Sequence, residues 1–392
     1  MNLLDLHVNN RQDIFGFYRV GELKFYSQLE AIEVSLKTNR PITWHFNDEI
    51  FSSYDWTVEP TESISELYKK RCEQLREKYD YLVLFYSAGS DSDNILNFFI
   101  ENNIRLDEVV SLINYEGTED KLSLYNAEIF EVAIPNIKKA QEKQPHLTHT
   151  LIDVTKPILD KFSSLNLDQI YIQNTVFTGF AAIRDDLKMS QEHWRKMFSA
   201  GKKVGFISGI EKNKVIIDDK NFFKTNFSNI SICGVISSLM QHKNNNWEFD
   251  ELFYWSPDFP KIPIKQAHII KSFIKRNGIE KFKKYPRVVD GAIRQPPAGA
   301  FVLIHGENYL QNSDLNYLIY PYWYNIPHQY KAVNLILYEK EFWFNGKMNT
   351  EQQAKNWKAS IRKILEITKT DYRKQSFFNY ALQSSKSYFL GE

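Results

Sequence analysis

An apolar run at residues 81–86 narrows the possible folds, because it leads directly into a stretch of small polar residues. The run is Tyr81-Leu82-Val83-Leu84-Phe85-Tyr86, and polar residues do not alternate with the apolar ones. Such runs are typical of central parallel strands, which helices cover on both faces. Parallel neighbours need crossover connections, which are usually helical. The run therefore predicts a parallel sheet whose strands alternate with helices along the chain.

The neighbouring segments follow this alternation. Helices are predicted over about 64–78, 91–101 and 177–200, and strands over 108–114, 148–154 and 203–208. Strands that alternate with helices along the chain favour one sheet with helices packed on it. We therefore expect an α/β fold with a doubly wound, mainly parallel sheet.

A length of 392 residues suggests two or three domains. Residues 1–63 are predicted to form a small N-terminal αβ unit, with two short strands around a Gly21-Glu22 turn. Residues 64–235 would form the parallel-sheet domain. Residues 236–392 are aromatic-rich and irregular, with helices predicted around 265–276 and 350–367. We expect this C-terminal region to bind substrate or to form an oligomer contact.

Composition bears on partners and compartment. The formal net charge is +1, from 49 basic and 48 acidic residues, so the chain lacks the basic character of most nucleic-acid binders. Nucleic acid is therefore a partner that we do not favour. No stretch approaches 18 apolar residues, which predicts no membrane span and a cytoplasmic protein.

The two cysteines and the many aromatic residues are expected to be mainly structural. Cys72 and Cys233 are far apart and form no CxxC pair, which excludes a thiolate metal cluster; both are expected to be buried. Aromatic residues make up 15% of the chain. We expect them to fill a core or an oligomer contact, with a ligand-stacking surface as the alternative.

The segment after the apolar run, Ser87-Ala88-Gly89-Ser90-Asp91-Ser92, is the main candidate site. In an open α/β sheet, ligands bind at the carboxyl ends of strands, where a helix N-terminus offers N–H groups to an anion. A glycine and a small alanine let the backbone approach a phosphate closely, and the serine hydroxyls can donate further hydrogen bonds. A helix cap needs only one such residue. The segment therefore indicates a loop that binds pyrophosphate.

Other phosphate and metal motifs fit this segment less well. A Walker A loop requires a lysine soon after the glycines, and none follows Gly89 before Lys121. A G-x-S-x-G nucleophile elbow is excluded because Ala88 and Ser92 occupy the two positions around Ser90 that the motif reserves for glycine. A calcium loop is excluded because Ile95 occupies its fifth position.

The segment resembles the S-G-G-x-D-S signature of the PP-loop ATP pyrophosphatase superfamily, with Ala88 in place of the glycine usual at the second position. This superfamily includes asparagine and GMP synthetases, argininosuccinate synthetase and several tRNA-modifying enzymes. The whole chain is also similar to asparagine-synthase-like proteins of tailed bacteriophages. The resemblance implies a PP-loop or HUP-like sheet, with ATP and Mg²⁺ as cofactors. A phage-encoded protein of this kind would act in the host cytoplasm.

The resemblance also implies roles for individual residues. Ser87, Gly89, Ser90 and Ser92 would hold the β and γ phosphates, with Ala88 completing the loop. Asp91 would position either Mg²⁺ or the loop itself, and is the expected catalytic residue here. By topology, adenine would lie against Ile113 and Asn114, at the end of the second strand.

A second candidate loop, Ser208-Gly209-Ile210-Glu211-Lys212, follows the predicted strand 203–208. It resembles the second pyrophosphate-contacting loop of asparagine-synthetase-like domains, which implies a phosphate-contacting role for Gly209. Glu211 would bind Mg²⁺, and Lys212 would neutralise the charge on departing pyrophosphate. The alternative is a polar hairpin turn between this strand and residues 215–217.

The expected reaction attacks the α phosphate of ATP, releases pyrophosphate and leaves an adenylated substrate. The chain begins Met1-Asn2-Leu3, without the N-terminal catalytic cysteine of a glutaminase, so ammonia or an amine would be the nucleophile. Three hypotheses remain: an adenylating ligase or amidotransferase-like synthetase with a small-molecule acceptor, an enzyme that modifies nucleobases in tRNA or DNA, and a nucleotide-binding module without catalysis.

Overall fold

A computed structural model describes most of the N-terminal half of the chain and shorter parts of the remainder. The described residues are 16–25, 28–113, 126, 128–157, 160, 187–209, 214–227, 229, 248–280, 288–289, 292–293, 316–322 and 384–392. The predicted helix at 350–367 and residues 177–186 of the one predicted at 177–200 lie outside these ranges.

The first elements combine short strands with helices. They are β1 (Phe17–Val20), β2 (Leu23–Phe25), α1 (Gln28–Thr38), β3 (Ile42–His45) and α2 (Asp48–Ser52). The strands form an antiparallel sheet in the order β2-β1-β3.

The next elements alternate as the sequence predicts. They are α3 (Ile64–Lys78), β4 (Tyr81–Phe85), α4 (Ser90–Glu101), β5 (Glu108–Ile113), a π-helical segment (Ile129–Ala133), α5 (Ile134–Lys143), β6 (Thr148–Asp153), α6 (Glu192–Ser199) and β7 (Val204–Ser208).

The remaining described elements are mostly short. They are β8 (Lys214–Ile217), β9 (Phe223–Asn226), β10 (Glu248–Leu252), α7 (Lys261–Asn277), β11 (Val288–Val289), β12 (Ala292–Ile293), α8 (Asn316–Ile319) and β13 (Tyr388–Gly391).

The central sheet has five parallel strands in the order β10-β7-β4-β5-β6. The chain proceeds from β4 outwards through β5 to β6, and then returns to the other side of β4 with β7 and β10. The order therefore reverses between β4 and β7. A parallel sheet with flanking helices confirms the expected α/β class.

The connection after β7 leaves the central sheet. β7 pairs with β4 and β10, whereas β8 pairs with β9 and β11 in a separate sheet of order β12-β11-β8-β9-β13. The alternative of a hairpin between these two strands is therefore wrong, because they belong to different sheets. The candidate loop 208–212 begins a crossing from one sheet to the other.

Aromatic side chains join the N-terminal unit to later parts of the chain. Phe51 of α2 packs on Phe227, which follows β9, with ring centroids 4.5 Å apart. Phe46 contacts Trp255, and Trp56 stacks on Tyr388 of β13 at 4.6 Å. These rings are buried, as expected for core residues. Cys72 on α3 is also buried, as predicted, whereas Cys233 lies outside the described residues.

The sequence analysis did not identify β10, the fifth parallel strand. Its buried carboxylates are paired with cations from other elements: Asp250 with Lys188 at 2.8 Å, and Glu251 with Arg71 and Lys78, each at 2.8 Å. Burial alone would raise the pKa of Glu251, but the two cations and the hydrogen bonds lower it to about 2. These pairs allow charged residues in a buried strand.

None of the helices within the described ranges combines the length and hydropathy needed to cross a membrane.

Candidate functional site

The loop Ser87–Ser92 joins β4 to α4 at the point where the strand order reverses. Phe85, the last residue of β4, lies beside Ser208, the last residue of β7. The two candidate loops therefore start next to each other at the carboxyl edge of the sheet. Crevices at such reversal points are where open α/β sheets bind ligands.

Hydrogen bonds within the loop define its shape. The Ser87 N–H donates to Ser92 Oγ at 3.3 Å, and Ser92 Oγ donates to the Gly89 carbonyl at 3.2 Å. The Gly89 N–H lies 3.4 Å from Ser87 Oγ. Ala88 has φ of 59°, in the left-handed region that favours glycine. Alanine at this position adopts the conformation for which glycine, the usual residue of the resembled signature, is best suited.

The N-terminus of α4 has no side-chain cap of its own. Its N-cap is Gly89, which has no side-chain acceptor for the N–H groups of the first turn. Ser90 and Ser92 are buried within that turn, whereas Ser87 is exposed. A helix end of this kind carries partial positive charge and favours an anionic ligand.

Gly209 packs directly against the start of α4. A Cβ atom at this position would lie 3.1 Å from both the Asp91 carbonyl carbon and the Ser92 backbone nitrogen, and 3.0 Å from Ile95 Cδ1. Two of these neighbours are backbone atoms, so a side chain at this position would have to displace the first turn of α4 by a few tenths of an ångström. Gly209 therefore supports the first candidate loop from the β7 side.

Two buried tyrosines hold Asp91 from the other side. The Tyr254 hydroxyl donates to the Asp91 carbonyl at 2.7 Å and accepts from Asn94 Nδ2 at 3.1 Å. The Tyr320 hydroxyl donates to Asp91 Oδ1. Burial, together with the nearby charge of Asp91, raises the pKa of both tyrosines well above the usual value, so both remain hydrogen-bond donors at neutral pH.

A third support comes from Asp93, which the sequence analysis did not select. Its buried carboxylate accepts from the Tyr86 hydroxyl at 2.7 Å, from Asn97 Nδ2 at 3.0 Å and from Asn136 Nδ2 at 3.3 Å. These bonds join the start of α4 to the end of β4 and to α5. Burial and the charge of Asp93 raise the pKa of Tyr86. The only signal in the sequence was a second acid two residues after Asp91.

Only some of the other predicted site residues lie within the ranges that the structure describes. Ile113 ends β5, and because Phe85 pairs with Val110, it lies at the same carboxyl edge as the loop. Asn114, Glu211 and Lys212 lie outside the described residues. Within the described ranges, no three His, Cys, Asp or Glu residues are grouped so that they could hold a metal ion. The Mg²⁺ site at Asp91 and Glu211 therefore stays a prediction.

His268 and Gln266 on α7 belong to the interior. His268 Nε2 lies 2.8 Å from the Trp56 carbonyl, and Gln266 Nε2 donates to the buried Tyr68 hydroxyl at 2.8 Å. Burial lowers the pKa of His268. This part of α7 packs against the core.

The sheet and its connections define an α/β protein whose candidate site lies at the reversal point between β4 and β7. Comparison with models of protein families gives no match, and comparison with curated proteins gives none either. The functional assignment therefore depends on the loop chemistry and on its place in the sheet.

Proposed function

We propose that the chain binds ATP at Ser87–Ser92 and cleaves it between the α and β phosphates. The product would be an adenylated small-molecule acceptor, which ammonia or an amine then attacks. One observation carries the proposal: the serine- and glycine-rich loop follows the central strand β4 and begins α4 at the reversal point, directly against Gly209. That is the location at which open α/β sheets bind nucleotides.

The loop offers suitable groups for the β and γ phosphates. Backbone N–H groups of the first turn of α4 and the hydroxyls of Ser87, Ser90 and Ser92 can donate to phosphate oxygens. The partial positive charge at the helix end favours the negative charge of pyrophosphate, which increases as the α–β bond breaks. This arrangement supports pyrophosphate as a leaving group better than it supports a covalent enzyme intermediate.

The proposal gives the remaining predicted residues complementary roles. Asn114 and Ile113 would contact adenine, Glu211 would bind Mg²⁺, and Lys212 would neutralise pyrophosphate as it departs. The acceptor would bind beyond the α phosphate, on the side away from α4.

The described contacts do not favour a nucleic-acid substrate. Lys271 on α7, part of a basic stretch that could contact a polyanion, donates to the Leu390 carbonyl at 2.6 Å, and Lys275 donates to the Glu392 carbonyl at 3.3 Å. Lys261 is paired with Glu62 at 2.6 Å. A nucleobase-modifying enzyme is therefore the less favoured alternative, and a non-catalytic nucleotide-binding module is an outcome of the test below.

The test combines ATP binding with product analysis. Wild-type protein is expected to be stabilised against thermal unfolding by ATP and Mg²⁺, since a ligand that binds only the folded state shifts the equilibrium towards it. Incubation with candidate acceptors and ammonia should yield AMP and pyrophosphate, whereas ADP and phosphate would indicate β–γ cleavage. Stabilisation without any cleavage would favour the non-catalytic module.

A serine pair provides matched variants. Ser92→Ala removes a hydroxyl of the loop, and we expect it to weaken ATP binding about tenfold. Ser63→Ala removes the hydroxyl that accepts from the Glu66 N–H at 3.2 Å in the capping box of α3. The control should lose about 1 kcal/mol of stability, without weakening ATP binding. Equal ATP affinity in both variants would contradict the site assignment.

A further inference from the structure

The segment 316–322 contacts the proposed ATP loop through one side chain. Tyr320 lies directly after α8 and is fully buried, and its hydroxyl donates to Asp91 Oδ1. The two residues are 229 positions apart in the chain. The contact therefore joins the first turn of α4 to a part of the chain that no local sequence pattern connects with it.

Tyr320 belongs to a packed group of three tyrosines. Its ring lies 5.2 Å from that of Tyr254 and 6.4 Å from that of Tyr68, measured between centroids. The Tyr68 hydroxyl donates to the Ile319 carbonyl at 2.8 Å, which fixes the backbone immediately before Tyr320. Packing and this hydrogen bond together hold the Tyr320 ring in place. A donor fixed in this way imposes a defined orientation on the carboxylate that it contacts.

Asp91 is thus bound at both its side chain and its backbone. Tyr320 holds the carboxylate and Tyr254 holds the carbonyl, so both contacts direct Asp91 towards the tyrosines. The Tyr320 hydroxyl directs Asp91 Oδ1 towards the buried tyrosines, whereas a metal ligand in a phosphate site would present its carboxylate to the ion. Since Ser90 and Ser92 flank Asp91, fixing this residue also fixes the proposed phosphate-binding turn.

We infer that Asp91 positions the ATP loop, rather than binding the metal, and that Tyr320 and Tyr254 are the positioning residues through which it acts. This inference rests on the proposed function. It makes residues 316–322 part of the nucleotide site, although their side chains do not have to touch ATP. The hydroxyl of Tyr320 carries the effect, so its removal alone should loosen the loop.

The test measures ATP affinity by titration calorimetry in Tyr320→Phe, Asp91→Ala and the double variant. Each single change is expected to weaken ATP binding about tenfold, which is typical for loss of one hydrogen bond to a charged group. The double variant should bind ATP little more weakly than either single one, because both changes remove the same contact. Tyr254→Phe should act in the same direction and provides a second variant if Tyr320→Phe does not fold.

A matched control separates loop positioning from general stability. Tyr18 is also fully buried, and its hydroxyl accepts from Asn229 Nδ2 at 2.9 Å in the N-terminal unit. Tyr18→Phe removes a comparable buried hydroxyl and is expected to leave ATP affinity within about twofold of the wild-type value, because the hydroxyl makes no contact with the loop. Urea unfolding of all variants would show whether their stabilities are comparable.

Magnesium titration distinguishes the two roles of Asp91. If Asp91 positions the loop, Asp91→Ala weakens binding of ATP and of inorganic pyrophosphate without changing the Mg²⁺ concentration needed for half-maximal binding. A shift of that concentration to higher values would overturn the inference in favour of a metal ligand. If Tyr320→Phe binds ATP as tightly as the wild-type protein, the inference is overturned but the proposed function is not. If the wild-type protein does not bind ATP, both the proposed function and the inference are overturned.

Discussion

Replacement of Gly209 by alanine tests how closely the two candidate loops depend on each other. The new methyl group would lie 3.0–3.1 Å from three atoms of α4, two of which are backbone atoms of Asp91 and Ser92. These contacts are closer than a methyl group tolerates, so the first turn of α4 must move by a few tenths of an ångström. Such overpacking costs about 1–3 kcal/mol, and the lower backbone freedom of unfolded alanine offsets about 0.4–1 kcal/mol of that. The expected net loss of stability is about 1–2 kcal/mol.

The same movement should impair nucleotide binding beyond the loss of stability. Hydrogen bonds from the turn to phosphate depend on position, and a displacement of this size is expected to lower ATP affinity about tenfold. Gly201→Ala is the matched control: Gly201 has φ of 72°, and a methyl group there would meet no atom within 4 Å, so alanine costs about 1 kcal/mol without touching the loop. Urea unfolding and calorimetric ATP titration would measure both effects. Unchanged ATP affinity in the Gly209→Ala variant would refute the reasoning.

Two further substitutions probe the loop and the charged strand. Ala88→Gly should change the free energy of unfolding by less than about 1 kcal/mol. Glycine adopts the left-handed conformation more easily than alanine, but it has greater backbone freedom in the unfolded chain and lacks the buried methyl group. A larger loss of stability in urea unfolding would contradict this balance. The pKa of the Glu251 carboxylate is lowered to about 2, so this group should contribute about 3 kcal/mol to the free energy of unfolding above pH 4.5. This contribution should be lost as the pH falls from about 4.5 to 2. Glu251→Gln should cost about 3–5 kcal/mol at neutral pH, because the buried Arg71 loses its partner, and should flatten this part of the stability profile measured by acid titration.

The elements that surround the loop were predictable because local signals determine them. Helix α3 begins after Ser63, whose side chain forms a capping box with Glu66, and its bounds agree with the prediction of 64–78. Strand β4 is an uninterrupted apolar run, and its interior residues are buried as predicted. In each case the residues that determine the structure are neighbours in the sequence.

Strand β10 shows why other parts could not be predicted. Three of its five residues are Glu248, Asp250 and Glu251, a pattern that contradicts the apolar composition of buried parallel strands. The cations that neutralise Asp250 and Glu251 come from 62 to 180 positions away, on α3 and in the segment before α6. Only the tertiary structure brings these charges together. A search for apolar strands therefore fails at this strand for a definite physical reason.

The candidate site depends both on residues that are neighbours in the sequence and on residues that only the tertiary structure brings together. Its chemical groups lie in six consecutive residues, and this is why a sequence pattern can identify it. Its geometry depends on Gly209, Tyr254 and Tyr320, which approach Asp91 from other parts of the chain. A tyrosine hydroxyl buried beside a carboxylate is favourable only when both partners are in place, because either group left unpaired would carry a desolvation penalty. The turn that would bind phosphate and the later segments that carry these tyrosines should therefore become ordered together, so that the sequence motif is a necessary part of the site but does not form it alone.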